Sequence, residues 1–322
     1  MDESNDCVEI YQLRSGQGLS PAEAFGSITD ELSAIYEEEG WANLRTTVKS
    51  LVDSCAETTE EAEVFIDGFF DITAGGGDII DENDADFAED LVRQFPDSMK
   101  FVEILARFYS ELCGQDLLDT YLPKLAELSV EHPDMSSVAL YYAQTLVSLT
   151  WDISTGVVSI QDYAEAVRLV KSLYEAYPRS EFAETYAEGL RHLAENQDCE
   201  EDAAQPIAAI EDLLVKWHNP YIANDYLSAL TRLTWMQDEQ GCAATIAKME
   251  SMWDGYPYPL ETLAMNIAYA LANYSLCLSG TEQESVIHHI GELAEWWKPA
   301  ARMSTELRDG TYAYAHKPRK AA

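Results

Sequence analysis

The chain has 322 residues, and its 58 acidic residues against 20 basic ones give a formal net charge of -38. A surface this acidic repels the phosphates of nucleic acids and of anionic membranes, so direct binding to either is not expected. The charge either supports solubility or salt adaptation, or it attracts a basic partner. Apolar residues make up 47% of the chain, which is ample for a buried core.

Six cysteines lie far apart, and no two form a C-x-x-C pair. They are Cys7, Cys55, Cys113, Cys199, Cys242 and Cys277. This spacing fits neither a zinc knuckle nor the disulfide framework of a small secreted domain, and it favours reduced thiols in a cytoplasmic protein. The acidic amino terminus lacks the basic start of a secretory signal. The most apolar stretch, residues 263–278, is interrupted by Asn266 and Asn273, so we expect a buried helix and no membrane span.

The first part of the chain predicts a flexible start followed by helices. Residues 1–20 show no periodicity and are expected to be flexible. Three predicted helices follow, from Pro21 to Gly40, over residues 44–55, and from Thr58 or Thr59 onward. The run Gly75-Gly76-Gly77 precedes several acidic residues and fits neither a phosphate-binding loop nor a calcium loop, so it predicts a solvated linker.

Prolines recur at intervals of roughly 40 residues, a spacing typical of stacked helix pairs. They are Pro96, Pro133, Pro178, Pro220, Pro257 and Pro299. Because proline is tolerated just past a helix but cannot continue it, each one marks a predicted turn between pairs. The sequence therefore predicts an all-α fold, with a single repeat array over residues 21–312 and a basic tail over residues 313–322.

The first helix of each predicted pair carries a large anchor residue that is usually followed by alanine. The anchors are Leu105, Tyr142, Tyr186, Tyr226 and Ile267. Apolar partners four and seven residues later, such as Leu190 and Leu193 after Tyr186, complete a stripe that we expect to be buried. The small residue after the anchor allows close approach of the paired helix, so Leu227 in that position predicts a wider crossing.

The pattern of each predicted pair resembles the tetratricopeptide repeat. It consists of a large residue followed by a small one, a later aromatic residue or leucine, and a proline that closes the second helix. The resemblance covers roughly residues 65–299, with units longer than those of that family. A HEAT-like array has the longer period but lacks the regular terminal proline. The resemblance implies an α-solenoid of antiparallel helix pairs in a right-handed superhelix, which binds a peptide or a partner protein.

In tetratricopeptide-like arrays the first helices line a concave groove, whose stripe lies two residues before the anchor and two, five and six residues after it. The resemblance implies these partner-binding residues: Glu103, Arg107, Gln144, Ser148, Glu184, Glu188, Arg191, His192, Asn224, Ser228, Arg232, Tyr269 and Asn273. The charged members either face a ligand or pair within one helix, since Glu103 with Arg107 and Glu188 with His192 have the required spacing. The three arginines of the stripe favour a ligand with a carboxylate.

No catalytic constellation is evident in the sequence. It contains no P-loop, dinucleotide fingerprint or G-x-S-x-G motif. His288 and His289 lie near Glu292, but adjacent histidines point to different sides of a helix, so no metal site is expected. Residues 151–160 and 195–205 are predicted insertions between helices, and the basic tail either docks on the acidic body or stays free.

The sequence thus favours a non-enzymatic scaffold or adaptor that needs no cofactor and binds a peptide or partner protein in the groove. The alternative is an acidic decoy or inhibitor that engages a basic partner, such as a nucleic-acid-binding protein, through its outer surface. The salt dependence of binding distinguishes the two hypotheses. Binding of a basic partner by the acidic surface should weaken steeply as the salt concentration rises, whereas binding in the groove should depend less on salt.

Overall fold

The computed structural model describes residues 3–73, 80–149, 159–253 and 260–312, and every regular element in these ranges is a helix, as predicted. Up to residue 149 the helices are α1 (Glu3–Ser15), α2 (Pro21–Gly26), α3 (Thr29–Glu39), α4 (Trp41–Cys55), α5 (Thr59–Thr73), α6 (Glu82–Gln94), α7 (Met99–Leu112), α8 (Leu118–Glu131) and α9 (Ser136–Ser148). From residue 159 they are α10 (Ile160–Ala176), α11 (Ser180–Glu195), α12 (Glu200–Trp217), α13 (Pro220–Leu233), α14 (Glu239–Glu250), α15 (Leu260–Ser275), α16 (Gly280–Glu292) and α17 (Pro299–Arg308). A π-helix spans Cys113–Leu117, and a 3-10 helix spans Leu293–Glu295.

The chain divides into two compact units, unit 1 (Met1–Thr145) and unit 2 (Leu146–Ala322). The boundary falls within α9. The single array predicted over residues 21–312 stays a prediction across this boundary. Among the helices of the described ranges, none combines the length and the apolar character that a bilayer span requires.

The amino-terminal segment is more ordered than its sequence suggests. Instead of a flexible start, residues 3–15 form α1, which packs against α2 and α4. Cys7 and Tyr11 are almost fully buried, and the Tyr11 ring lies edge-on to Phe65 with the centroids 4.8 Å apart. Val8 and Ile10 also pack against this core, so the apolar positions 7, 8, 10 and 11 have helical spacing. They extend over little more than one turn, which is why the sequence did not reveal this helix.

The helix predicted from Pro21 to Gly40 is interrupted in the structure. It forms α2 and α3, with Ser27 and Ile28 between them. The interruption lets α2 lie close to α5, where a Cβ atom added to Gly68 would be only 1.9 Å from the ring of Phe25. Glycine at this position therefore makes room for a buried aromatic side chain, and the local sequence pattern of α2 and α3 gives no sign of that distant contact.

A buried ion pair connects α4 to α6 within unit 1. The Arg45 guanidinium lies 2.5 Å from Asp84 and 2.8 Å from Asp81, and the Asp84 side chain is 1% exposed. The indole nitrogen of Trp41 donates to the same Asp84 oxygen at 2.7 Å. Burial raises the pKa of Asp84, with the hydrogen bonds from Arg45 and Trp41 opposing the shift. The cluster fixes the start of α6, because Asp81 is also its N-cap.

Helices of unit 2 pack in a regular order along the chain. Each of α11, α13 and α15 packs against the helices before and after it, and α13 also contacts both α11 and α15. The anchors of these three helices, Tyr186, Tyr226 and Ile267, are buried as predicted. Leu190 is also buried. Leu193 and Tyr142 are only half-buried, so the predictions of their burial are wrong. The anchor register is therefore correct for these three helices.

Prolines of the repeat pattern lie at helix junctions. Pro96, Pro133 and Pro178 occupy turns, while Pro220 and Pro299 are the first residues of α13 and α17. Pro257, the glycine run at residues 75–77, residues 151–158 of the first predicted insertion, and the tail from residue 313 lie outside the described residues.

The predicted insertion at residues 195–205 is mostly helical. Glu195 ends α11, and α12 begins at Glu200. Glu200, Glu201 and Asp202 form the first turn of α12, where the positive end of the helix dipole stabilises carboxylates. Their charge, which suggested a solvated loop, is therefore equally compatible with a helix start.

Candidate functional site

Polar side chains connect the first helices of neighbouring predicted pairs. In three of these helices the side chain lies five residues after the anchor. Arg191 Nε donates to Asp225 Oδ1 at 2.8 Å and joins α11 to α13. Thr231 Oγ1 donates to Asn266 Oδ1 at 3.1 Å and joins α13 to α15. In unit 1 the hydroxyl groups of Ser110 and Thr145 are 2.8 Å apart and join α7 to α9. The side chain five residues after the anchor thus makes a polar contact with the next first helix in both units.

The predicted groove residues of α11 form a compact charged cluster. Besides Asp225, Arg191 binds Glu195 at 3.0 Å and lies 3.9 Å from Glu188. His192 is 3.7 Å from Glu188, so the alternative of pairing within the helix holds for these two residues. Burial raises the pKa of Asp225 to about 6, and the Arg191 guanidinium partly offsets this effect. Arg191 is therefore occupied by carboxylates of its own chain.

Arg107 is also engaged, and it belongs to unit 1. Its guanidinium lies over the rings of Phe70 and Phe108, at 4.9 and 5.4 Å from their centroids. Its nearest carboxylate is Glu111 of the same helix at 3.3 Å, and not Glu103, the partner named in the alternative of pairing within one helix. With Arg191 also occupied, the prediction of three arginines available to one ligand is wrong, because tertiary contacts with Asp225 and Phe70 are invisible in the helical spacing.

A cavity of about 440 Å³ lies on unit 2, where the ends of α11 and α13 meet α15. Its lining residues are Glu195, Asn196, Thr231, Arg232, Trp235, Tyr269, Asn273 and Tyr312. Four of them belong to the predicted groove stripe: Arg232, Tyr269, Asn273 and also Thr231, which lies five residues after the anchor Tyr226. The cavity size is within the range of roughly 300–1,000 Å³ that is common for ligand pockets.

The guanidinium of Arg232 is the main charged donor of this cavity. Its Nε donates to the backbone oxygen of Glu195 at 3.0 Å, and the residue is exposed. Its two terminal nitrogens make no hydrogen bond or ion pair with any residue that the structure describes. The Glu195 carboxylate is bound to Arg191 and does not neutralise Arg232.

Three aromatic and two amide side chains form most of the rest of the wall. The Tyr269 ring packs against Trp297, with the centroids 5.4 Å apart and the planes tilted by 49°. Tyr312 is buried, and Trp235 is half-buried in the turn after α13. Asn273 donates to Thr234 Oγ1 at 2.8 Å, which fixes its amide on the neighbouring helix. Three of the eight lining residues are thus aromatic, and two of the lining side chains, Tyr269 and Asn273, are held by contacts with neighbouring residues.

Four of the lining residues were not predicted, for different reasons. Trp235 lies three residues after Arg232, and extending the groove pattern beyond the end of α13 would have found it. Glu195 and Asn196 lie at the end of α11, past its stripe. Tyr312 follows the last helix, where the sequence has no repeat signal. The backbone of Asn196 caps α11.

Other predicted residues lie apart from this cavity. Glu184 accepts hydrogen bonds from Ser180 at 3.0 Å and from Asn219 at 2.6 Å, which ties α11 to the start of α13. Asn224 and Ser228 are half-buried on α13 and do not line the cavity. The remaining predicted residues are exposed, on α7 for Glu103 and on α9 for Gln144 and Ser148.

Among the described residues, no three His, Cys, Asp or Glu side chains are grouped as a metal ion would require. No protein-family model matches the chain, and comparison with curated proteins and with solved structures finds no significant match.

Proposed function

We propose that this protein is a non-enzymatic interaction scaffold of the tetratricopeptide-like kind. In this proposal its helices form an α-solenoid of antiparallel pairs, and the first helices of unit 2 (α11, α13 and α15) bind an extended peptide or a helix of a partner protein. The recurring polar contacts from Arg191 and Thr231 to the next first helix support such a repeat. Buried anchors at equivalent positions of these helices support it as well.

The observation that carries the proposal is the cavity lined by Arg232, Tyr269 and Trp235. It offers one charged donor and several aromatic surfaces, the combination that fixes the orientation of a side chain and supplies apolar contact. Its other charged group, Glu195, is held by Arg191 and is not positioned as a free acid or base. Binding, rather than proton transfer, is therefore the chemistry that these side chains favour.

The decoy alternative depends on a different property, the net charge of -38. A basic partner would be attracted over a distance by this charge and would not need the cavity. Substitutions in the cavity would leave such binding intact, whereas salt would weaken it strongly. The two functions therefore differ in both the residues and the conditions on which they depend.

Selection from a displayed library of random octapeptides tests the scaffold function. We expect peptides that bind the full chain, and we expect Tyr269→Ala and Trp235→Ala each to weaken their binding by about tenfold or more, since aromatic side chains dominate such contacts. The matched control is Tyr221→Ala, which removes a tyrosine that is 63% exposed on α13 and does not line the cavity. Circular dichroism establishes that each variant keeps its helix content. Equal binding by wild type and both cavity variants would contradict the proposal.

A further inference from the structure

We infer that the ligand of the unit 2 cavity presents a single carboxylate to Arg232, next to an aromatic or aliphatic group that packs against Trp235 and Tyr269. The inference rests on the proposed scaffold function and specifies the chemistry of its ligand. It runs against the charge of the whole protein, which by itself favours basic partners.

Arg232 differs from most arginines of the described chain in lacking a carboxylate partner. Those that have one within 4.0 Å are Arg45, Arg93, Arg107, Arg168, Arg191, Arg302 and Arg308. The chain has 58 acidic residues, yet within the ranges that the structure describes Arg232 lines a cavity, bonds to a backbone oxygen and has no carboxylate to neutralise its charge. A carboxylate from outside the chain would supply that missing partner.

The geometry of Arg232 suits an acceptor with two oxygens in one plane, such as a carboxylate. Its Nε is held by the Glu195 backbone oxygen, so the guanidinium is positioned before a ligand arrives. The two terminal nitrogens can then bind both oxygens of one carboxylate, a bidentate contact that lysine cannot reproduce. Because less side-chain freedom is lost on binding, the contact should add more affinity than one from a mobile arginine.

The surrounding charges limit the ligand to one carboxylate at this point. Glu188, Glu195 and Asp225 lie in the cluster around Arg191, within one or two turns of the cavity edge. A run of acidic residues would meet repulsion from these groups and from the whole surface, whereas one carboxylate beside apolar atoms would meet Arg232 on one side and aromatic rings on the other. We therefore expect an acidic-aromatic or acidic-aliphatic motif, not a polyacidic segment.

The peptides selected as described above provide the test. Each selected peptide is synthesised in its carboxylate form and in a form in which the matching carboxamide replaces that carboxylate. The peptides are also made with either a free or an amidated carboxyl terminus. We expect wild type to bind the carboxylate form about tenfold or more tightly than the carboxamide form, while Arg232→Gln binds the two forms equally. The terminal variants show whether the carboxylate belongs to a side chain or to a chain end.

A matched control and a charge reversal complete the experiment. Arg14→Gln removes the same charge from an exposed arginine of α1, and we expect it to bind like wild type. Repeating the selection with Arg232→Glu should enrich Lys or Arg in place of Asp or Glu, a gain of preference that an unfolded variant could not show. Equal binding of carboxylate and carboxamide by wild type would overturn this inference; if Tyr269→Ala still abolished binding, the scaffold function would stand. Insensitivity to Tyr269→Ala would instead overturn the scaffold function.

Discussion

Arg191 and Asp225 form a partly buried ion pair, with Nε and Oδ1 2.8 Å apart, that joins α11 to α13. Through its second bond, to Glu195, Arg191 also neutralises the carboxylate at the edge of the unit 2 cavity. Arg191 therefore has two effects, because it ties neighbouring helices together and leaves the charge of Arg232 available to a ligand.

Asp225 should give the protein a measurable pH dependence. Burial raises its pKa from 3.8 to about 6, so between these values the folded state holds a proton that the unfolded state has lost. The contribution of Asp225 to the free energy of unfolding should thus fall as pH rises through this window, by about 3 kcal/mol in total. Urea denaturation of wild type and Asp225→Asn from pH 4 to pH 7 measures this contribution.

The comparison with Asp225→Asn isolates this group, since Arg191, Glu188 and His192, which face it, are present in both proteins. We expect the stability of wild type relative to the variant to decrease steadily across the pH range. A difference that does not change with pH would show that Asp225 keeps an ordinary pKa in the folded state.

The Arg45 and Asp84 pair should be costly to break. Arg45→Met leaves the Asp84 carboxylate buried without its cation, which should lower the free energy of unfolding by about 3–5 kcal/mol. Arg302→Met is a suitable control, because the Arg302 side chain is 85% exposed and its ion pair with Glu306 should contribute about 1 kcal/mol or less. Urea denaturation at neutral pH measures the decrease in the free energy of unfolding for each variant. Similar small decreases for the two variants would contradict the claim that burial makes the Arg45 and Asp84 pair costly to break.

Tyr186 should matter to stability as a packed anchor. Its ring stacks on Tyr174 with the centroids 5.9 Å apart, and the residue is 8% exposed. Tyr186→Ala should therefore cost ~3 kcal/mol or more, as expected for a large-to-small change in a core. Tyr221→Ala, at an exposed site, should cost far less. Thermal and urea unfolding of the two variants check the difference, and equal effects would show that the anchor register is wrong.

Helical periodicity predicted the parts of the fold that depend on local sequence. The buried positions around Tyr186 and Tyr226, and the junctions marked by Pro178 and Pro220, all follow from side-chain spacing and from the effect of proline on a helix. The close packing of Phe25 in α2 on Gly68 in α5 did not, because it brings together residues far apart in the chain.

The candidate site was predicted only where its residues follow helical spacing. Arg232, Tyr269 and Asn273 lie on helical stripes and were found, whereas Tyr312 lies after the last helix and belongs to no stripe. The occupation of Arg191 depends on Asp225, a buried polar residue next to an anchor. Spacing places a side chain on a face, but it does not show which partner from the neighbouring helix has already bound it.

The most direct test of the scaffold function is the association rate of a selected carboxylate peptide at about 20 mM and about 500 mM salt, conditions that differ several-fold in screening length. With an acetylated amino terminus and no basic residue the peptide is an anion, so the net charge of -38 repels it at long range and the cavity attracts it only at contact. We expect the association rate to rise with salt while cavity variants still weaken binding. A rate that falls steeply with salt and ignores Tyr269→Ala would contradict cavity binding and favour capture of basic partners by the outer surface.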